Sequence, residues 1–79
     1  MATTEIVKTI DARGKPCPGP LMALIGEIRR AAAGDAFEVW SDDEGSRVDI
    51  PAWTAKAGHD LTSVTEQDGY TAFVIRKTH

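Results

Sequence analysis

Hydrophobic and polar positions alternate over residues 4–10, with Ile6 and Ile10 on one side and Val7 on the other, which predicts a first strand. Asp11 to Pro16 breaks the alternation. From Pro20 onward the period changes. Leu21, Leu24, Ile25, Ile28 and Ala32 recur at helical spacing with Glu27, Arg29 and Arg30 off the stripe, so a first helix is predicted, with Gly34 as its C-terminal stop. Residues 36–41 read as a second strand. The intervening helix makes the two strands parallel, through a right-handed crossover. After the acidic turn from Asp42 to Gly45, Pro51 occupies the first position of a short second helix that carries Trp53 and Ala57 one turn apart and stops at Gly58. Residues 61–66 and 71–77 flank Asp68-Gly69 and predict a closing hairpin. Pairing around that turn leaves Val64, Phe73 and Ile75 on one face and Leu61, Val74 and Tyr70 on the other, so the pattern leaves the buried face open. The order is βαβαββ: a four-stranded mixed sheet with two helices, read as a single domain over residues 1–79.

Composition narrows the function classes. The chain has 79 residues, of which 42% are hydrophobic and 27% charged, as expected of a small folded domain. Nine basic against 12 acidic residues give a net charge of −3, which argues against direct nucleic-acid binding. The longest apolar run, Leu21 to Ile25, falls far short of the roughly 20 residues that span a bilayer, and Met1 to Glu5 lacks a signal-peptide pattern, so no membrane partner is expected. Cys17 is the single cysteine, which excludes an intrachain disulfide and a multi-cysteine zinc site and points to a reducing, cytoplasmic setting. His59 and His79 have no metal-ligand spacing. No metal and no cofactor are expected.

The chemistry concentrates in Lys15-Pro16-Cys17-Pro18-Gly19-Pro20. Three prolines fix the backbone around the only thiol at the start of the first helix. A lone cysteine is commonly an inert core residue. Here the apolar stripe begins only at Leu21, which places Cys17 ahead of the buried face. Free N–H groups at the helix start, with Arg13 and Lys15 nearby, favour the thiolate. In a parallel βαβ unit such groups gather beyond the carboxyl ends of the strands, so Asp42, Asp43, Glu44 and Arg47 are expected to share that rim.

The run Ile10-Asp11-Ala12-Arg13-Gly14-Lys15-Pro16-Cys17-Pro18-Gly19-Pro20-Leu21-Met22 resembles the Asp-x-x-Gly-x-x-Cys-Pro-x-Pro signature of the TusA (SirA-like) family of sulfur-carrier proteins. Ser41-Asp42-Asp43 followed by Asp49-Ile50-Pro51-Ala52-Trp53 is similar to the family's second block, and the resemblance covers nearly all of residues 6–77. It implies an α/β (α+β) two-layer sandwich with both helices packed on the sheet. It also implies that Cys17 accepts sulfane sulfur from a donor protein, holds it as a persulfide and passes it to an acceptor. Partners would be sulfur-donor and sulfur-acceptor proteins of rhodanese-, desulfurase- or DsrE-like kind, serving tRNA thiolation, molybdenum cofactor biosynthesis or dissimilatory sulfur oxidation. Asp11, Gly14, Pro18, Gly19 and Pro20 are motif positions that hold the cysteine, while Arg13, Lys15, Arg47 and Asp43 are candidates for anion stabilisation or docking. Lys15, Gly19 and Thr54 depart from the family pattern, which often has an apolar residue, Glu and a second cysteine there. A lone thiol fits a carrier better than a dithiol oxidoreductase. Two rivals remain: a non-catalytic interaction or regulatory domain, and a single-cysteine redox sensor.

The remaining polar and aromatic residues have simpler expectations. The acidic turn is either solvated or docks a basic partner, and Asp49 caps the second helix. Trp40 and Trp53 are expected to pack in the core, with an exposed docking patch as the alternative, while His59 lies in a surface loop and His79 is a frayed terminus.

Overall fold

The computed structural model describes residues 6–16 and 18–79. It contains β1 (Ile6–Asp11), α1 (Gly19–Arg29), β2 (Ala36–Ser41), α2 (Ser46–Ala57), β3 (Asp60–Gln67) and β4 (Tyr70–Arg76), which is the expected βαβαββ order. The sheet runs β1-β2-β4-β3, with β1 parallel to β2 and β4 antiparallel to both of its neighbours.

Phe37 and Val39 alternate inward along β2, opposite Ile75 and Phe73 of β4, and meet Leu24 and Ile28 of α1 and Ile50 of α2. These seven side chains form the core. Ile10, Leu21, Ala31, Trp53 and Leu61 pack around it, so both helices cover the same face of the sheet. No helix among the described residues is long and apolar enough to cross a membrane.

Five local expectations are corrected. α1 ends at Arg29, well before Gly34. Lys77, just beyond β4, reaches back with Nζ to donate to the carbonyls of Ile28 (2.8 Å) and Ala31 (2.7 Å). A cation is well placed at a helix C-terminus, and here it satisfies carbonyls that another helical turn would have used. Gly34 instead sits at φ +98°, and its N–H donates to the Lys77 carbonyl.

α2 starts at Ser46, so Pro51 lies inside the helix and Asp49 lies in its first turn instead of capping it. The entry is made of short-range bonds, from Ser46 N–H to Asp43 O, Arg47 N–H to Glu44 O and Val48 N–H to Gly45 O. The buried stripe of α2 is Ser46, Ile50 and Thr54. Two of its three members are polar, which is why hydrophobic periodicity missed the first half of this helix. The Thr54 hydroxyl is satisfied by the Ile50 carbonyl at 2.7 Å. Gly58, at φ +81°, closes α2 as expected.

The open question of the hairpin face is resolved by an irregularity. From Gln67↔Tyr70 to Ser63↔Val74 the register is that of a two-residue turn, and it then shifts so that Leu61 pairs with Ile75. The shift brings Leu61 to the core side with Phe73 and Ile75, while Val64 stays half exposed.

The chain's end is anchored, against expectation. His79 stacks on His59 with ring centroids 4.8 Å apart, and its Nε2 lies 3.0 Å from the Ala57 carbonyl. Thr78 donates its N–H to His59 Nδ1 and its hydroxyl to the Gly58 carbonyl. His59 is therefore a half-buried joint against Trp53 and not a free loop residue.

Candidate functional site

The loop between β1 and α1 leaves the sheet at Asp11 and is tied down residue by residue. Ala12, fully buried, extends the ladder by donating its N–H to the Trp40 carbonyl at 2.9 Å. Gly14 adopts φ +83°, a conformation that strongly favours glycine, and its N–H donates to both carboxylate oxygens of Asp42, at 2.9 and 3.1 Å. Lys15 N–H returns to the Ala12 carbonyl, and Gly19 N–H donates to the Pro16 carbonyl at 2.8 Å. Met22 N–H then takes the Pro18 carbonyl as α1 begins, with Pro20 buried in its first turn. Pro20 needs no N–H there, because the first amides of a helix have no intrahelical acceptor. Cys17 itself lies outside the described residues.

Arg13 has the most constrained side chain of the loop. Its Nε and Nη2 donate to the two carboxylate oxygens of Asp11, at 2.9 and 2.8 Å, and its backbone N–H donates to Oδ1 at 3.2 Å. The guanidinium lies 5.0 Å from the Trp40 ring centroid and 5.1 Å from that of Tyr70, and the two rings are 5.1 Å apart. Trp40 and Tyr70 are diagonal neighbours on β2 and β4, on the sheet face opposite the helices, because Val39 and Phe73 point the other way. Hydrogen bonds from the Arg13 side chain and amide, with the charges of Arg13 and Lys15, hold the Asp11 carboxyl down at a pKa of about 2. Asp11 in turn raises the pKa of Arg13.

Of the acidic-turn residues expected to share a rim with Arg13 and Lys15, Asp42 is brought to their loop, through Gly14, while Asp11 pairs with Arg13. Arg47 is held elsewhere: it pairs with Glu66 of β3 at 2.7 Å and lies 3.9 Å from Glu44. It borders an open cleft of about 170 Å³, whose wall includes Ser41, Asp42, Glu66, Tyr70 and Thr71. Asp42 belongs to both places, since it lines the cleft and accepts from Gly14. Asp43 takes an architectural part: its N–H donates to Ser41 Oγ, its carbonyl receives Ser46 N–H, and its Oδ2 is buried with no hydrogen-bond partner among the described residues. Lys15 makes no ion pair among the described residues, and its Cβ would sit 3.2 Å from a Cβ placed on Gly19.

Sequence reasoning missed the Trp40–Tyr70 platform. Trp40 was expected in the core, and it lies half-buried on the outer face, whereas Trp53 does pack against the core. The available signal was two aromatic residues at strand positions opposite in parity to Val39 and Phe73, together with an arginine one step beyond β1. Among the described residues, no group of three or more His, Cys, Asp or Glu side chains is arranged to hold a metal ion.

The family model described as sulfurtransferase TusA matches residues 8–77. The chain belongs to the TusA family. The sulfur carrier protein TusA of Pseudomonas entomophila is 39% identical over 69 residues, covering 87% of this chain and 86% of its own. That of Pseudomonas aeruginosa is 35% identical over 75 residues, covering 95% of each chain. An Archaeoglobus fulgidus relative reaches 46% identity over 68 residues, 86% of this chain and 93% of its own. The crystal structure of a SirA-like protein from Desulfitobacterium hafniense superposes with a TM-score of 0.83 at 23% identity, over 92% of this chain and all of the other, so the TusA-like fold is shared. The TusA match takes in the whole tied-down loop, the acidic turn and the hairpin.

Proposed function

We propose that this TusA-family protein is a persulfide carrier that receives sulfane sulfur on Cys17 and relays it between a donor and an acceptor protein. In the loading step, the Cys17 thiolate attacks the terminal sulfur of the donor's persulfide. A new S–S bond forms on Cys17, the donor's S–S bond breaks, and the donor leaves as a thiolate with the bonding electron pair; no net oxidation occurs. In the unloading step a nucleophile on the acceptor attacks the same terminal sulfur and Cys17 leaves as thiolate. Such exchange needs an accessible, low-pKa thiol and little acid–base machinery.

The observation that carries this reading is the family match over residues 8–77, with Cys17 inside the Asp11-to-Pro20 motif. The tied-down run from Asp11 to Pro16 supports it, because the residues that lead to the cysteine in sequence are held to the sheet. We place Pro18, Gly19 and Pro20 as the residues that launch α1 from the thiol, and Lys15 as a nearby cation favouring the anion. We propose the cytoplasm as its setting, where the single thiol stays reduced.

The test is intact mass after incubation with polysulfide or a persulfidated donor, for wild type and Cys17→Ser. Reversible gain of 32 mass units per sulfur, removed by reductant and seen in wild type alone, is expected. No gain by a wild type whose Cys17 is reduced and alkylatable would remove the chemical basis of the carrier reading and favour an interaction domain.

A further inference from the structure

We propose that Trp40 and Tyr70 are positioning residues for the thiol chemistry of Cys17, acting through Arg13. The proposal deepens the carrier reading and rests on it for the identity of the reacting residue. Arg13 lies four residues before Cys17 in the loop that joins β1 to α1, yet its guanidinium points back to the sheet, clamped between the Asp11 carboxylate and the faces of Trp40 and Tyr70. Both Asp11 side-chain oxygens accept from its fork, which leaves orientation rather than free charge as its contribution. The two rings come from β2 and β4, so the clamp fastens the loop to two central strands in addition to the bonds from Ala12 to Trp40 and from Gly14 to Asp42.

A thiolate is stabilised only where donors and cations stay in place relative to the sulfur. A loop freed from the sheet averages those positions and lets the thiol pKa drift up toward its ordinary value. Tyr70→Leu removes one ring face without touching the motif. Arg13→Lys keeps the charge and loses both the fork and the planar stack. The measurement is the rate of Cys17 alkylation by iodoacetamide from pH 5 to 10, together with the rate of sulfur uptake from polysulfide, with folding checked by circular dichroism and thermal melting.

Tyr70→Leu and Arg13→Lys should both raise the alkylation midpoint and slow each reaction about three- to tenfold at pH 7, the effect of moving a thiol pKa by half a unit to one unit. Tyr70→Phe, which retains the ring, should restore wild-type behaviour. Wild-type rates and midpoints in folded Tyr70→Leu overturn the proposal. A wild-type profile in Arg13→Lys beside a slowed Arg13→Leu also overturns it, by showing that only the charge matters. If alkylation follows the clamp while no form, wild type included, takes up sulfur, the carrier reading fails and the clamp stands.

Discussion

At the scale of single residues, the approach to Cys17 is built from groups that are individually weak and jointly fixed. Asp11 and Arg13 are both exposed, and an exposed ion pair is ordinarily loose. Here three donors of Arg13 converge on one carboxylate, which is the cause of the Asp11 pKa of about 2. A carboxyl depressed in the folded state contributes stability that is present above its unfolded value near 3.8 and is lost as the pH falls through 2. The pair should therefore be constant across neutral pH, and an NMR titration of the Asp11 carboxyl carbon should give a midpoint near 2 that moves up toward 3.8 in Arg13→Leu; a midpoint already near 3.8 in wild type would show the pair to be unformed in solution. Gly19 offers a second test. A Cβ there would lie 3.2 Å from Lys15 Cβ, tight against an exposed chain that can shift by a few tenths of an ångström. Gly19→Ala should alkylate at Cys17 much as wild type does, whereas Gly19→Glu adds a carboxylate at the start of α1 and should slow alkylation at pH 7 by about threefold through a raised thiol pKa. Equal rates in Ala and Glu variants would show that charge at this position does not reach the sulfur.

At the scale of elements, the C-terminal end of α1 is finished by a residue beyond the last strand and not by its own sequence. The two Lys77 bonds to Ile28 and Ala31 join the last strand to the end of α1, 46 residues away at the nearer contact. Lys77→Met keeps the stem and removes the donors, and should cost about 1–3 kcal/mol in urea unfolding, the usual penalty for a charge-assisted bond to partly buried carbonyls. A loss below about 0.5 kcal/mol would place it among ordinary surface substitutions. Such a long-range cap cannot be read from a local pattern, which is why the stripe through Ala32 seemed to extend α1 to Gly34. β2 was legible to the residue, because its inward positions are Phe37 and Val39 and its ends are marked by Asp35 and Asp42. α2 was half legible: Ile50, Trp53 and Ala57 carry the period, but Ser46 and Thr54 are buried polar members of the stripe and hide it. The position of the motif loop between β1 and α1 was legible, yet its anchoring to Trp40 and Tyr70 depends on strand register, which a turn and two bulges set together.

At the scale of the whole molecule, both edge strands carry register shifts, between Ile6 and Lys8 in β1 and between Leu61 and Ser63 in β3, a geometry that discourages edge-to-edge association. The segment after the β3 edge's partner then folds back to close the structure through imidazoles. His59 sits against Trp53, stacks on His79 and accepts the Thr78 N–H at Nδ1, so that nitrogen has no room for a proton while the joint is made. Burial is the first cause holding its pKa below 6.5, followed by repulsion from His79 and Lys77, with Asp60 opposing them. For a histidine depressed in the folded state the unfolded chain binds the proton first, so stability is full above 6.5 and falls as the pH drops from 6.5 through the folded pKa. The melting temperature should therefore decline between pH 7 and pH 5, and His59→Gln, which keeps an acceptor and cannot titrate, should lower the melting temperature at pH 7 while shrinking that decline. An undiminished decline in His59→Gln would assign the acid sensitivity to other groups. Because the joint lies at the end of α2 and the clamp at the far end of the sheet, opening the joint through His59→Gln should leave Cys17 alkylation at pH 7 unchanged, which separates loss of the terminal joint from loss of the site.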